Sequence, residues 1–126
     1  MKANITMKAV PDTYSSADKV HVIITNTTSS KAYTDMNYSI EHYEDSEWKK
    51  IPLNIVYNLV KISLLPNKSE EFTIYLYPEQ YDYKPGQYRV FKTISTISDL
   101  PEKHSINRTG SQPEQSHVLT AEFTLE

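Results

Sequence analysis

Few of the side chains able to do chemistry lie close together along this chain of 126 residues. The chain has no cysteine, which excludes disulfides, thiolate zinc sites and cysteine nucleophiles. Its two glycines cannot build a glycine-rich phosphate loop. The histidines show neither H-x-H nor H-E-x-x-H spacing; they are His21, His42, His104 and His117. The sequence therefore predicts no metal ion and no cofactor.

Serines and carboxylates show no catalytic arrangement either. A serine nucleophile usually lies in a strained, glycine-flanked turn beside a base, and no serine of this chain has that context. The acidic groups fall at residues 44–47, 70–71 and 99–102, which are turns and strand entries where charge discourages edge-to-edge pairing of sheets. We therefore predict a protein that is not an enzyme and has no catalytic residue.

Tyrosine is the one residue type present in unusual number, with ten in the chain. Four of them lie close together, at Tyr75, Tyr77, Tyr81 and Tyr83. Amphipathic rings in a row can stack on a sugar or anchor a protein partner. Rings on the outer face of a sheet can instead pair across strands and stabilise it by about 0.2–1 kcal/mol each, which is the more common role. Both interpretations stay open. We predict that these four residues form the surface that contacts a partner, and the loop at 98–116 is the second choice.

Charge and hydropathy narrow the class of partner. Thirteen basic residues against 16 acidic ones give a net charge of −3, which offers no attraction to nucleic acid or to an anionic membrane surface. No apolar run reaches the ~18–20 residues that cross a bilayer. The expected partner is therefore a protein or a glycan, with no nucleic acid and no direct membrane insertion. The protein is expected to be a monomer or a weak oligomer.

The elements that must position these residues are strands. Apolar and polar residues alternate with period two in short segments separated by turn residues. The clearest is the segment 70–77, in which Phe72, Ile74 and Leu76 share one face. The predicted strands are 4–9, 19–27, 37–44, 48–52, 61–65, 70–77, 88–95 and 118–125. With no amphipathic helix, this pattern predicts one all-β domain over residues 1–126, either a β-sandwich or a small barrel. Within it, 53–60 is ambiguous and 98–116 is a long loop.

A Pro-Gly turn followed by a tyrosine lies at the predicted strand 88–95. Tyr88, after Pro85 and Gly86, resembles the tyrosine corner of immunoglobulin-like sandwiches, whose hydroxyl bonds the backbone upstream. Other stretches of the chain resemble, in the same order, the sequence pattern of a bacterial immunoglobulin-like domain family found in exported and cell-surface proteins. They are 38–41 (YSIE), Trp48, 65–72 (LPNKSEEF) and 85–89 (PGQYR). The resemblance spans about residues 7–94, and Asn67 stands where a glycine is usual.

The resemblance implies an immunoglobulin-like β-sandwich of two antiparallel sheets with seven to eight strands. In such a fold Tyr88, Pro85 and Gly86 have structural roles, and Trp48 fills the position between the sheets that a tryptophan often occupies. The residues expected to carry the core are Val22, Ile24, Ile40, Trp48, Phe72, Ile74, Tyr88, Val90 and Phe123.

The resemblance also implies a class of function. It is that of a non-enzymatic binding or structural module, exported or at the cell surface after removal of a leader. A cytoplasmic location stays an alternative. Two other classes stay open: an immunoglobulin-fold protease inhibitor that inserts loops into an enzyme cleft, and a carbohydrate-binding module that uses the tyrosines.

Overall fold

The computed structural model describes residues 4–15, 18–55, 60–97 and 114–126. These residues form ten strands and no helix, and none of them belongs to a helix that could cross a membrane. The strands are β1 (Ile5–Ala9), β2 (Thr13–Tyr14), β3 (Lys19–Asn26), β4 (Ala32–Thr34), β5 (Ser39–Glu44), β6 (Glu47–Lys50), β7 (Ile62–Leu64), β8 (Lys68–Tyr75), β9 (Gly86–Ile97) and β10 (Glu114–Leu125).

Three strands form the first sheet, in the order β1-β3-β8. Both of its pairings are antiparallel. β3 pairs with β8 along its whole length, from Lys19 opposite Tyr75 to Asn26 opposite Lys68. Every second residue of β3 is buried, as period-two alternation predicts for a strand with one face on a core.

The other seven strands form the second sheet, along the path β2-β10-β9-β4-β7, with β5 on β9 and β6 on β5. Its longest ladder joins β9 to β10, from Gly86 opposite Leu125 to Ile97 opposite Glu114. All pairs in this sheet are antiparallel except β2, which runs parallel to β10. The predicted immunoglobulin-like sandwich of two sheets is therefore confirmed, with one parallel pair as its exception to antiparallel pairing.

Two short strands explain why the described residues form ten strands rather than seven or eight. β2 has two residues and β4 has three, so neither is long enough for alternation to reveal it. The eight predicted strands all occur, with shifted ends. β10 begins at Glu114, which shortens the predicted loop 98–116 from its C-terminal side. The rest of that loop, 98–113, and residues 56–59 of the ambiguous segment lie outside the described residues.

Side chains from both sheets meet in one apolar core. Eight of the nine residues expected to carry it are buried: Val22, Ile24, Ile40, Phe72, Ile74, Tyr88, Val90 and Phe123. Trp48 is the exception, because it is half-buried and lies opposite Tyr43 in the β5–β6 hairpin. The inner side of β5 is taken by the alternate residues Ile40 and His42, so the Tyr43–Trp48 pair faces outward. The prediction that Trp48 fills the space between the sheets is wrong.

Candidate functional site

One end of the sandwich gathers the residues that the sequence singles out. The register places Tyr75, at the end of β8, beside Lys19, at the start of β3. It places Gly86, at the start of β9, beside Leu125, at the end of β10. The connection 76–85 joins β8 to β9 across this end. We call this the tyrosine end, because it carries all four predicted contact residues, Tyr75, Tyr77, Tyr81 and Tyr83.

The hydrogen bonds expected of a tyrosine corner are present at Tyr88. Its hydroxyl donates to the Lys84 carbonyl at 2.6 Å and accepts from the Lys84 amide at 3.0 Å. Gly86 has a φ of 153°, which L side chains rarely adopt, and a Cβ there would lie 3.4 Å from Nε2 of His42. Pro85 restricts the backbone just before it. Burial raises the pKa of the Tyr88 hydroxyl to about 12.

His42 is a member of this cluster that sequence reasoning did not assign to it. The buried imidazole stacks on Tyr88, with centroids 4.2 Å apart and planes 10° from parallel. Its Nδ1 lies 3.0 Å from the Tyr81 hydroxyl. Phe123 also stacks on Tyr88, at 5.4 Å between centroids. His42 shares the buried face of β5 with Ile40, and no sequence pattern indicated that its stacking partner would come from β9.

The four predicted tyrosines form two pairs with different surroundings. Tyr75 is 52% exposed, and its ring centroid lies 6.4 Å from that of the half-buried Tyr77. Tyr81 and Tyr83 are half-buried and meet edge to face at 4.9 Å. The Tyr83 hydroxyl donates to the Leu76 carbonyl at 2.7 Å, and burial raises its pKa well above the usual value. The Tyr75–Tyr77 pair thus offers ring surface to solvent, whereas the Tyr81–Tyr83 pair packs against the core.

A cleft of about 260 Å³ opens beside the Tyr81–Tyr83 pair. Pro78 and Pro85 also line it. Two charged residues at the cleft, Asp82 and Lys84, pair with each other at 3.3 Å between Oδ2 and Nζ. Rings and prolines lose little conformational entropy when a partner covers them. Much of the lining of the cleft is therefore already restricted in conformation.

A second aromatic group lies on the outer face of the second sheet. The Arg89 guanidinium carbon lies 4.2 Å from the ring centroid of Trp48 and 4.9 Å from that of Phe91. Arg89 also donates to Oε1 of Glu41 through Nε at 2.9 Å and Nη2 at 2.7 Å. The 44% exposed Tyr43 has its ring centroid 5.1 Å from that of Trp48. Sequence reasoning missed this group because its members come from three different strands.

Lys92 is the one buried lysine among the residues that the structure describes. Its Nζ donates to the carbonyls of Asp35 at 2.6 Å and Asn37 at 3.0 Å, in the break between β4 and β5. The same ammonium lies 4.7 Å from the ring centroid of Phe72 in the opposite sheet. Burial lowers the pKa of Lys92 to about 8, and Asp35 acts in the opposite direction. Lys92 alternates with the buried residues Val90 and Ile94 of β9 and so lies on the inner face of the strand. The sequence did not predict its burial, because lysine side chains are usually exposed.

The fold does not bring the histidines together. His21 lies in the first sheet, with Nδ1 3.5 Å from Oε2 of Glu71, whereas His42 lies in the second. His117 is exposed in β10, and His104 lies outside the described residues. Over residues 4–15, 18–55, 60–97 and 114–126, no three histidine or carboxylate side chains are grouped so that they could hold a metal ion.

Comparison with known proteins identifies the family. The chain is similar to a chain in the crystal structure of the CsuC–CsuE chaperone–tip adhesion subunit pre-assembly complex from the archaic chaperone-usher Csu pili of Acinetobacter baumannii, at 13% identity and a TM-score of 0.47. The similarity covers 94% of this chain but 56% of that chain. No curated protein matches. The model of the bacterial Ig-like domain matches residues 1–124. The chain therefore belongs to the bacterial Ig-like domain family.

Proposed function

We propose that this protein is a non-enzymatic binding module, exported or at the cell surface, that holds a protein partner at its tyrosine end. Family membership supports the module and its location, because bacterial Ig-like domains are often extracellular or surface-associated. The single observation that carries the binding role is the Tyr75–Tyr77 pair. Tyr75 leaves about half of its side chain uncovered, with a second ring beside it.

The surroundings of the pair favour a rigid contact surface. Tyr75 lies at the end of β8, and its carbonyl accepts a hydrogen bond from the Tyr38 hydroxyl at 2.8 Å. The amide of the next residue, Leu76, donates to the Asp18 carbonyl at 2.8 Å. Interface hot spots are enriched in tyrosine because its large ring brings contact area at a low cost in entropy. A partner that covers Tyr75 and Tyr77 would also reach the cleft lined by Pro78.

The test is binding to a defined set of proteins rather than capture from a lysate. We would immobilise the protein and measure surface plasmon resonance against purified envelope and secreted proteins of the bacterium that makes it. Tyr75→Ala and Tyr77→Ala are expected to weaken any binding at least tenfold. Tyr33→Ala is the control, because Tyr33 pairs with Ser95 toward the other end of the second sheet. Equal affinity for all three variants would refute this contact surface.

Location has its own test. An epitope-tagged copy would be produced in intact cells. If the tagged protein lies at the cell surface, protease added to the cells should cleave it. If the tagged protein is secreted, it should be found in the medium. Recovery of the tagged protein only from the cytoplasmic fraction would contradict the exported location.

A further inference from the structure

A row of four charged residues crosses the outer face of the second sheet. The register places Lys50 of β6 opposite Glu41 of β5, Glu41 opposite Arg89 of β9, and Arg89 opposite Glu122 of β10. The sign of the charge alternates at every step along this row, so its formal net charge is zero. Such a row offers hydrogen-bond donors and acceptors side by side while producing little net field.

Aromatic rings border the row on two sides. Tyr43 and Trp48, which are opposite each other, lie on the side of the β5–β6 turn. Phe91, which is opposite Ser39, lies on the other side. The guanidinium of Arg89 contacts both the Trp48 and the Phe91 rings. We call these three aromatic residues, together with Glu41 and Arg89, the outer platform.

The outer platform is held in place before any ligand arrives. Arg89 is fixed by two hydrogen bonds to one oxygen of Glu41, and both side chains remain about one quarter exposed, at 27% and 24%. Tyr43 is 44% exposed. Binding there would cost little side-chain entropy, because these groups already have defined positions. The paired charges also remain within reach of a ligand.

We propose that the outer platform binds an uncharged pyranose unit of an oligosaccharide. A pyranose ring has an apolar C–H face, which suits the electron-rich faces of aromatic rings. Its hydroxyls both donate and accept, so neighbouring hydroxyls can donate to Glu41 and accept from Arg89. This site is separate from the protein-binding surface proposed at the tyrosine end.

The charge pattern favours a neutral sugar over a charged one. An acidic sugar that reached Arg89 would also meet the carboxylates of Glu41 and Glu122, which flank Arg89 in the row. A cationic sugar would meet Arg89 and Lys50 on either side of Glu41. The like charges oppose either ligand, whereas a neutral hydroxylated ring meets no such repulsion.

Trp48 allows direct observation of the site, because it is the only tryptophan in the chain. Its fluorescence would be recorded while the full chain is titrated with cellohexaose, laminarihexaose, mannohexaose and chitohexaose. We expect a saturable change with at least one of them. In calorimetry, Trp48→Ala and Tyr43→Ala should weaken that binding at least tenfold. Tyr75→Ala should leave it unchanged, which separates this site from the proposed protein contact.

Glu41→Gln tests the role of charge while keeping the shape of the side chain. The variant removes the carboxylate that is hydrogen-bonded to Arg89 and changes the formal net charge of the row from zero to +1. It should therefore acquire salt-dependent binding of hexagalacturonate, which the unaltered protein should not bind. The proposal is overturned if none of the four neutral sugars gives a saturable change, or if Tyr43→Ala and Trp48→Ala bind as tightly as the unaltered protein. Self-association that shields Trp48 would also overturn it, since the occupant would then be a second copy.

Discussion

The buried Lys92 makes a quantitative prediction about stability and pH. Its pKa is about 8 in the folded protein, compared with the ordinary value of 10.5. Between these values the unfolded chain holds a proton that the folded protein has released. The free energy of unfolding therefore rises with pH in this window. Below about pH 8 both states carry the charge, and the folded state bears the full cost of burying it.

The size of the effect follows from the two pKa values. Relative to pH 7, the free energy of unfolding should increase by about 1 kcal/mol at pH 9 and by about 2–3 kcal/mol at pH 10. Tyr88 acts in the opposite direction, because its folded pKa of about 12 lies above the usual 10.0. The unfolded chain releases that proton first, so Tyr88 lowers stability as pH rises through 10 and above. The comparison between pH 7 and pH 9 therefore isolates Lys92.

Urea unfolding at pH 7, 8 and 9 would measure the effect in the unaltered protein, in Lys92→Met and in Lys50→Met. Lys50→Met is the control, because Lys50 is exposed in β6. The unaltered protein and Lys50→Met should both show the increase, whereas Lys92→Met should be flat. If Lys92→Met keeps the increase, or if the unaltered protein lacks it, then burial of the Lys92 ammonium does not cause the pH dependence and the prediction is refuted.

Two further substitutions test the hydrogen bonds that hold the fold. Tyr88→Phe removes the hydroxyl that bonds both the amide and the carbonyl of Lys84, and should lower the free energy of unfolding by about 1–2 kcal/mol in urea; an unchanged midpoint would argue against the corner. Asn26→Ala should cost about 1–3 kcal/mol in the same assay. The buried side chain of Asn26 donates through Nδ2 to the Leu64 carbonyl at 3.0 Å, and its Oδ1 accepts from the backbone amide of Thr28 at 2.9 Å. A loss no larger than that of Thr27→Ala, at an exposed neighbour, would contradict this role.

Alternation in the sequence was enough to predict most strands and the faces that they bury. The clearest case is β8, in which Phe72 and Ile74 are buried as predicted. Alternation failed where a strand is too short to show it, as in β2 and β4. The motif around Pro85, Gly86 and Tyr88 was equally informative, because the corner is local and its hydrogen bonds join residues four positions apart.

Trp48 shows the limit of a resemblance. As a tryptophan in a sandwich of this kind, it was expected between the sheets. In the β5–β6 hairpin, however, Trp48 lies on the same face of the sheet as Tyr43, the residue opposite it. Asp45 and Ser46, with φ of 56° and 66°, form a tight turn that places Trp48 opposite Tyr43. Tyr43 faces outward because Ile40 and His42 occupy the inward positions. The indole therefore lies on the outer platform.

The sequence alone determined the all-β class through its alternation, and its resemblance to immunoglobulin-like domains added the sandwich and the corner at Tyr88, because these motifs lie within short stretches of chain. Only the tertiary structure decided that His42 stacks on Tyr88, that Lys92 reaches Asp35, and that four charges align across the outer face. Alternation specifies which face a residue occupies, but not which residue of a distant strand lies opposite it. That register results from packing both sheets on one core, which involves the whole chain at once.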